Sequence, residues 1–176
     1  MRISIDKIRI GLARLVVVGD SLAACCPWNR LDWTPFGAFN LARGGARLED
    51  IARQLDAAPQ PRFVLADGGL NDLLGDGRSP EEIHRHFVAL LDGLAKHPRA
   101  MFTLMPHVSD PTRTRAIDAA NALISESCRK AKIAVLDLNP WLSQNGVRRS
   151  EMTDDGLHFT SRANDVWIAA VRRALR

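Results

Sequence analysis

The chain has 176 residues, of which 46% are hydrophobic and 25% are charged, as in an ordinary globular domain. We therefore predict one domain that covers residues 1–176. The formal net charge is +4, but the lysines and arginines are scattered singly among acidic residues. This pattern does not predict a nucleic-acid partner. No stretch approaches the roughly 20 consecutive apolar residues that a membrane-spanning helix needs.

The cysteines and histidines do not form a disulfide framework or a metal site. Cys25 and Cys26 are adjacent and Cys128 leaves the count odd, so we expect reduced, buried thiols. His84 and His86 are two residues apart in a predicted helix and therefore point to different faces. We predict neither a metal ion nor any other cofactor.

Short apolar runs alternate with helical periods along the chain, which predicts an α/β domain with a mainly parallel sheet. The predicted strands are, in order, Leu15–Val18, Ala38–Asn40, Phe63–Ala66, Met101–Met105 and Ile133–Leu136. Apolar residues recur every three or four positions between them. Four helices are predicted. The first carries Leu48, Ile51 and Leu55, and the second begins near Ser79 with a capping box. The third runs from about Thr112 to Lys130, and the last contains Val166 to Val171.

Two segments fall outside this alternation. Ile3, Ile5, Ile8 and Ile10 are consistent with an extra edge strand or a dimer contact, so a homo-oligomer stays open. Residues 22–36 form the longest segment without a clear period, and they contain Trp28 and Trp33. A long loop in a small domain is more often functional than idle, so the two tryptophans are candidates for a substrate-binding wall. Each could equally be a core residue.

Polar and glycine-rich segments follow the first three predicted strands. They are Gly19–Ser21, Asn40–Gly45 and Gly68–Asp72. Because the carboxyl ends of parallel strands meet at one edge of the sheet, we expect these segments to form a single site. His107 follows the fourth strand at the same edge, and Asp20 lies within the first loop, so both are candidate substrate contacts.

Asp155 and His158 stand three residues apart just before the last predicted helix. A serine becomes a good nucleophile when an imidazole takes its proton and a carboxylate orients that imidazole. Ser21, His158 and Asp155 can supply these groups. Asn71 and the backbone N–H groups of Ser21 and Gly45 could donate hydrogen bonds to the oxyanion that forms on the attacked carbonyl.

Four short blocks carry a resemblance to a known family. GDSL (Gly19–Leu22), NLARGGA (Asn40–Ala46), GLND (Gly69–Asp72) and DGLH (Asp155–His158) resemble, in the same order, the blocks of the SGNH (GDSL) hydrolase superfamily. The resemblance implies a flavodoxin-like, three-layer α/β/α sandwich with a five-stranded parallel sheet. That fold agrees with the strands predicted above.

The resemblance also implies roles for individual residues. Ser21 is the nucleophile, Asp155 and His158 complete the triad, and Ser21, Gly45 and Asn71 form the oxyanion hole. Gly45 is chosen over Gly44 because the donor glycine usually follows the block's asparagine, here Asn40, by five positions; Gly44 stays open. Cleavage of a signal peptide behind Leu15–Val18 would remove or cut beside Ser21, so we expect a cytoplasmic protein.

The predicted function is that of a serine esterase acting on short acyl esters of a small molecule or carbohydrate. No GxSxG motif and no long lid insertion is present, which indicates a small, open site. The alternatives are an O-acyltransferase with the same triad, a lysophospholipase or thioesterase, and a catalytically silent binding module.

Overall fold

The computed structural model describes residues 15–31, 38–58 and 61–175. Its central sheet contains β1 (Leu15–Val18), β2 (Ala38–Asn40), β3 (Phe63–Asp67), β4 (Ala100–Thr103) and β5 (Ala134–Leu136). All four pairings are parallel, in the order β2-β1-β3-β4-β5. The predicted five-stranded parallel sheet is confirmed. The N-terminal isoleucines and Trp33 lie outside the described residues.

The helices are α1 (Ser21–Cys25), α2 (Leu48–Asp56), α3 (Pro80–Leu94), α4 (Thr114–Ala131), α5 (Asn139–Leu142) and α6 (Ser161–Ala174). α2, α3 and α4 pack side by side, while α6 contacts α5 and the 3₁₀ turn Trp28–Leu31. The chain moves from β1 to β2 in one direction along the sheet and from β3 to β5 in the other. Right-handed crossovers therefore place the connections on opposite faces, as in an α/β/α sandwich.

Local capping explains where two of the long helices begin. The Ser79 hydroxyl accepts a hydrogen bond from the Glu82 N–H at 3.2 Å, and the Ser79 N–H donates to the Glu82 carboxylate at 2.8 Å, which starts α3 as predicted. α4 begins two residues later than the predicted Thr112. The Asp110 carboxylate caps the Thr112 N–H and thereby starts a separate 3₁₀ turn, Pro111–Arg113.

The fourth strand ends before the predicted Met105 because a side chain replaces the sheet as partner of that residue. The Asn121 amide accepts from the Met105 N–H at 3.0 Å and donates to the Met105 carbonyl at 2.8 Å. Asn121 lies on α4, so this pair fixes the helix against the carboxyl end of β4. The backbone after Thr103 is consequently free to turn toward the functional edge of the sheet.

Aromatic rings fill the core on both faces of the sheet. Trp167 of α6 packs edge-on against Trp28 and Phe159, with ring centroids 5.0 and 5.6 Å away. Phe87 of α3 packs edge-on against Phe102 of β4 at 4.8 Å. These contacts anchor α6, and with it the segment Thr153–Phe159 that precedes it, to the sheet.

Several features were not predicted. A short hairpin joins β6 (Ser143–Gln144) to β7 (Val147–Arg148), and a π-helical turn spans Asn71–Gly75. Cys25 is exposed, contrary to the prediction of buried thiols, whereas Cys26 and Cys128 are buried. None of the described helices combines the length and the apolar character needed to cross a membrane.

Candidate active site

Ser21 lies where the fully buried strand β1 gives way to α1. Asp20 supplies the N-cap of this helix, its Oδ1 accepting a hydrogen bond from the Leu22 N–H at 2.9 Å. Gln54 of α2 fixes the preceding residue, donating to the Gly19 carbonyl at 3.0 Å and accepting from the Gly19 N–H at 2.8 Å. The Ser21 N–H has no acceptor among the described residues. The turn therefore presents both the hydroxyl and the backbone N–H of Ser21.

Ser21, His158 and Asp155 form a continuous hydrogen-bonded chain. His158 Nε2 lies 3.0 Å from Ser21 Oγ, and His158 Nδ1 lies 2.6 Å from Asp155 Oδ2. The side chains of His158 and Asp155 are 45% and 53% exposed, so the site opens directly to solvent. This is the geometry in which an imidazole can take the proton of a serine hydroxyl.

The Asp155 carboxylate is held in its ionised form by the groups around it. Its partner His158 side chain, followed by the backbone N–H groups of His158 and Leu157, brings the pKa of Asp155 well below its usual range. The two backbone N–H groups donate to Oδ1 at 2.7 and 2.9 Å, which leaves Oδ2 for the imidazole. The carboxylate can therefore orient the ring over the whole pH range in which a histidine titrates.

The loop that carries Asp155 and His158 is tied to its surroundings at several points. Thr153 and Phe159 form a β-bridge across it, and the Gly156 carbonyl accepts from the Ser109 N–H at 2.9 Å. Gly156 adopts a φ of 86°, which favours glycine. Arg148 of β7 is buried with its guanidinium 4.7 Å from the Phe159 ring centroid. These contacts bring the late DGLH block back to the first strand.

The candidate oxyanion donors lie on two adjoining loops. Asn71 Nδ2 donates to the Ala46 carbonyl at 2.9 Å, which uses one of its two N–H groups and ties the GLND block to the Gly44–Gly45 loop. Gly44 is the glycine closer to the nucleophile, because a methyl group there would lie 4.0 Å from Ser21 Cβ. Nothing lies within 4 Å of the equivalent position on Gly45, where φ is 74°. Gly45 stays the predicted backbone donor, with Gly44 as the alternative.

Asp72 supports Asn71 from inside the fold. It is fully buried; its Oδ2 accepts from the Leu48 N–H at 3.2 Å, and its Oδ1 lies 2.5 Å from Arg78 Nη1. Burial raises the pKa of Asp72 to about 6, against the opposing effects of the Leu48 N–H and of Arg78. Asp72 therefore joins α2, the π-helical turn and the start of α3.

The predicted substrate contacts Asp20 and Trp28 are not available to a substrate. Asp20 is 2% exposed and caps α1, as described above. Trp28 is 4% exposed, donates its indole N–H to the Ala23 carbonyl at 2.8 Å and packs on Trp167. The structure therefore buries both side chains, because a residue's position after a strand does not reveal which way its side chain turns.

His107 is also mostly buried, although it follows β4 at the functional edge. Its Nε2 lies 2.7 Å from Asp118 Oδ1 on α4, and its backbone N–H donates to Asn139 at 2.7 Å. The structure thus pairs His107 with Asp118, and none of its hydrogen bonds joins it to the Ser21–His158–Asp155 chain. No cluster of three metal-ligating side chains occurs in the described ranges.

Two cavities flank the candidate triad. The first, which we name the Arg43 cavity, has a volume of about 320 Å³ and borders the oxyanion loop; its walls include Leu41, Arg43, Gly44, Asp50, Arg53 and Gln54. The second, about 520 Å³, borders the triad carboxylate and is lined by residues that include Leu74, Val108, Asp110, Arg113, Asp155 and Leu157. The first cavity thus includes Gly44 and Gly45 of the predicted oxyanion loop, and the second includes the triad carboxylate.

A five-stranded parallel sheet with a serine, a histidine and an aspartate in contact at its carboxyl edge defines an α/β protein of the hydrolase type. Residues 17–166 match the GDSL-like lipase/acylhydrolase family, and the chain belongs to it. The resemblance drawn from the four sequence blocks is thereby confirmed.

Solved structures share the fold at low sequence identity. A protein from Streptococcus pneumonia superposes with a TM-score of 0.82 at 17% identity, covering 97% of this chain and 89% of its own. A lipase/acylhydrolase from Enterococcus faecalis gives 0.75 at 18% identity, covering 93% and 95%. An acetyl xylan esterase gives 0.75 at 14% identity, covering 92% and 99%.

Among curated proteins, an N-acylneuraminate cytidylyltransferase from Streptococcus agalactiae serotype III is 34% identical over 157 residues, which are 88% of this chain. A second from serotype V is 34% identical over 137 residues, or 72% of this chain. The chain spans only 37% and 32% of the length of these two relatives. The similarity therefore concerns one part of each relative.

Proposed function

We propose that this protein is a serine esterase that hydrolyses short acyl esters of a small molecule or carbohydrate through an acyl-enzyme. The observation that carries the proposal is the chain of contacts from Ser21 Oγ to His158 Nε2 at 3.0 Å and from His158 Nδ1 to Asp155 Oδ2 at 2.6 Å. A serine hydroxyl with a purely structural role does not need a histidine base oriented by a carboxylate, whereas a serine nucleophile in acyl transfer needs both.

In the first step His158 Nε2 takes the proton of Ser21 Oγ as the oxygen attacks the carbonyl carbon of the ester. The carbonyl oxygen becomes an oxyanion, which accepts hydrogen bonds from the backbone N–H groups of Ser21 and Gly45, or of Gly44 in place of Gly45, and from the Asn71 side chain. The C–O bond to the alcohol then breaks, and His158 returns its proton to the departing alkoxide. The product is an ester of Ser21.

In the second step a water molecule replaces the alcohol. His158 takes a proton from the water, the hydroxide adds to the acyl carbon, and Ser21 Oγ leaves with the proton that His158 holds. The ionised Asp155 stabilises the imidazolium in both steps, since its lowered pKa keeps it negative throughout. The exposed side chains of Asp155 and His158 support easy entry of water.

We further propose that the alcohol portion is an acidic sugar and that the Arg43 cavity binds it. The Arg43 side chain is exposed on the cavity wall and has no ion pair in the part of the chain that the structure describes, whereas Arg53 on the same wall pairs with Asp50. A free guanidinium is well suited to a carboxylate. The name of the curated relatives includes an N-acylneuraminate, a sugar that carries a carboxylate.

The test compares an O-acetylated sugar acid with its neutral, carboxyl-reduced counterpart and with nitrophenyl acetate. Loss of a charge-assisted hydrogen bond costs about 1.5–3 kcal/mol, so Arg43→Ala should lower kcat/KM for the sugar acid by about ten- to a hundredfold. Activity on the two neutral esters should change little. Arg173→Ala, an exposed arginine on α6, is the matched control. Equal losses on all three esters would exclude Arg43 as a carboxylate ligand.

Hydrolysis and acyl transfer are separated by the fate of the acyl group. In water enriched in oxygen-18, hydrolysis places one heavy oxygen in the released acetate, because water attacks the acyl carbon of Ser21. Transfer to an added sugar produces a new ester without heavy oxygen. We expect labelled acetate as the main product, even with excess acceptor sugar. A new ester as the main product would assign the protein as an O-acyltransferase.

A further inference from the structure

A second buried carboxyl group lies directly behind the nucleophile turn. Asp67, the last residue of β3, is 4% exposed, and Asp20 is 2% exposed. Both residues line the same small cavity behind the nucleophile turn, where each carboxyl group shifts the pKa of the other. Neither forms an ion pair with any described arginine, lysine or histidine at salt-bridge distance. The reaction steps above do not use this pair.

The surroundings of Asp67 offer it little stabilisation apart from Asp20. Asp67 Oδ1 has no donor among the described residues. The adjoining cavity is only about 10 Å³, which is at or below the space that one water molecule needs. The nearby Trp167 commits its indole N–H to Thr103 Oγ1 at 3.1 Å. Two adjacent carboxylates without a cation or water cannot both stay ionised, so one of them holds a proton.

The contacts indicate which carboxyl group holds it. Burial raises the pKa of Asp20 as well, but the Leu22 N–H donates to its Oδ1 at 2.9 Å and the His158 side chain acts in the same direction, so both favour the ionised form of Asp20. Among the described residues, Asp20 is the charged side chain that acts on Asp67. Complete burial raises the pKa of Asp67 well above its usual range. The neighbouring Cys26 thiol is kept neutral because burial raises its pKa too. The negative charge therefore resides on Asp20.

We propose that Asp67 is a positioning residue: its protonated carboxyl group donates a hydrogen bond to the Asp20 carboxylate and thereby holds the turn that presents Ser21. The proposal rests on Ser21 as the nucleophile of the proposed function. Asp20 transmits the effect because it caps the helix that begins with Ser21. Gly19 adds a steric constraint, since a methyl group at that position would lie 1.6 Å from Asp67 Oδ1. The end of β3 and the nucleophile turn thus fit together only with glycine at 19.

Asparagine at position 67 provides the sharpest test. Its amide can donate to the Asp20 carboxylate and accept from the Asp20 N–H, as the protonated carboxyl does, but it cannot ionise. In Asp67→Asn, a fluorophosphonate should label Ser21 at a rate within about threefold of the wild-type rate. In Asp67→Ala, whose side chain cannot donate, labelling should be at least about tenfold slower because the nucleophile is misplaced. Asp92→Asn, an exposed aspartate on α3, is the control.

The protonation itself is read by carbon-13 NMR of the aspartate carboxyl carbons at pH 7. We expect one carboxyl carbon with the shift of the protonated acid, absent in Asp67→Asn and present in Asp92→Asn. This measurement does not depend on activity, so it decides the pairing even if Asp67→Ala does not fold or if wild-type Ser21 fails to label and the proposed function falls. An ionised Asp67 at pH 7, a loss above tenfold in a folded Asp67→Asn, or wild-type labelling in a folded Asp67→Ala would each overturn the proposal.

Discussion

Replacing Asn71 with alanine removes two interactions whose energies can be measured separately. One N–H of the side chain donates to the Ala46 carbonyl at 2.9 Å in the folded protein, and the other is free for the oxyanion. A hydrogen bond of the first kind contributes about 1 kcal/mol to the free energy of unfolding. An oxyanion donor contributes about 2.7–4 kcal/mol in the transition state, which is about a hundred- to a thousandfold in kcat.

The assay combines steady-state kinetics on nitrophenyl acetate with urea unfolding of the same variant. We expect a large loss in kcat, little change in KM and a small loss of stability, because the oxyanion exists only after attack by Ser21. Asn121→Ala is the control. It removes the two hydrogen bonds that Asn121 of α4 makes with the Met105 backbone, so stability should fall while kcat stays near the wild-type value. An Asn71→Ala variant with unchanged kcat and raised KM would make Asn71 a substrate contact instead.

Three further predictions concern the acyl chain, the pH profile and stability. On nitrophenyl esters kcat/KM should peak at acetate or butyrate and fall by octanoate, because we expect a small, open site that buries few of the methylenes, each of which would supply roughly 0.8 kcal/mol; a profile that still rises at octanoate contradicts this. The pH profile of kcat/KM should show no inflection from Asp155 above pH about 4, since the pKa of Asp155 is lowered; an inflection above that pH that disappears in Asp155→Asn would be inconsistent. Burial raises the pKa of Asp72 to about 6, so the folded protein keeps this proton where the unfolded chain loses it. The free energy of unfolding, measured by urea titration relative to Asp72→Asn, should therefore fall by up to about 3 kcal/mol between pH 4 and 6, and a difference that rises with pH would refute the assignment.

The sequence was sufficient to predict the sheet and the gathering of its loops. Leu15–Val18 and Phe63–Ala66 are short, apolar and followed by glycine and polar residues, so their lengths and the site at their carboxyl ends follow from simple rules. The capping box at Ser79 likewise fixed the start of α3. These features depend on residues close together in the chain.

The direction in which each side chain points could not be predicted from the sequence. Asp20 and Trp28 lie in the expected loops, yet both turn inward, to cap α1 and to pack on Trp167. Gly44 and Gly45 are adjacent, and only the backbone path distinguishes which one faces Ser21. His107 pairs with Asp118, a partner on the neighbouring helix that no local spacing indicates.

Asp67 is a residue whose need for a specific partner could have been predicted from the sequence. It ends a strand that is otherwise apolar and buried along its whole length, and an aspartate in such a place needs a specific partner. Its partner Asp20 lies on the adjacent strand's loop, and the parallel register of β1 and β3 brings the two together. Asp20 and Asp67 are far apart in the sequence, so their proximity follows only from the order of the strands.

The central claim, that Ser21 is an activated nucleophile, is tested most directly by covalent labelling. We expect a fluorophosphonate to add once per chain, on the peptide that contains Ser21. A folded Ser21→Ala variant should show neither the adduct nor esterase turnover. An adduct on another residue, or turnover retained by Ser21→Ala, would contradict the account.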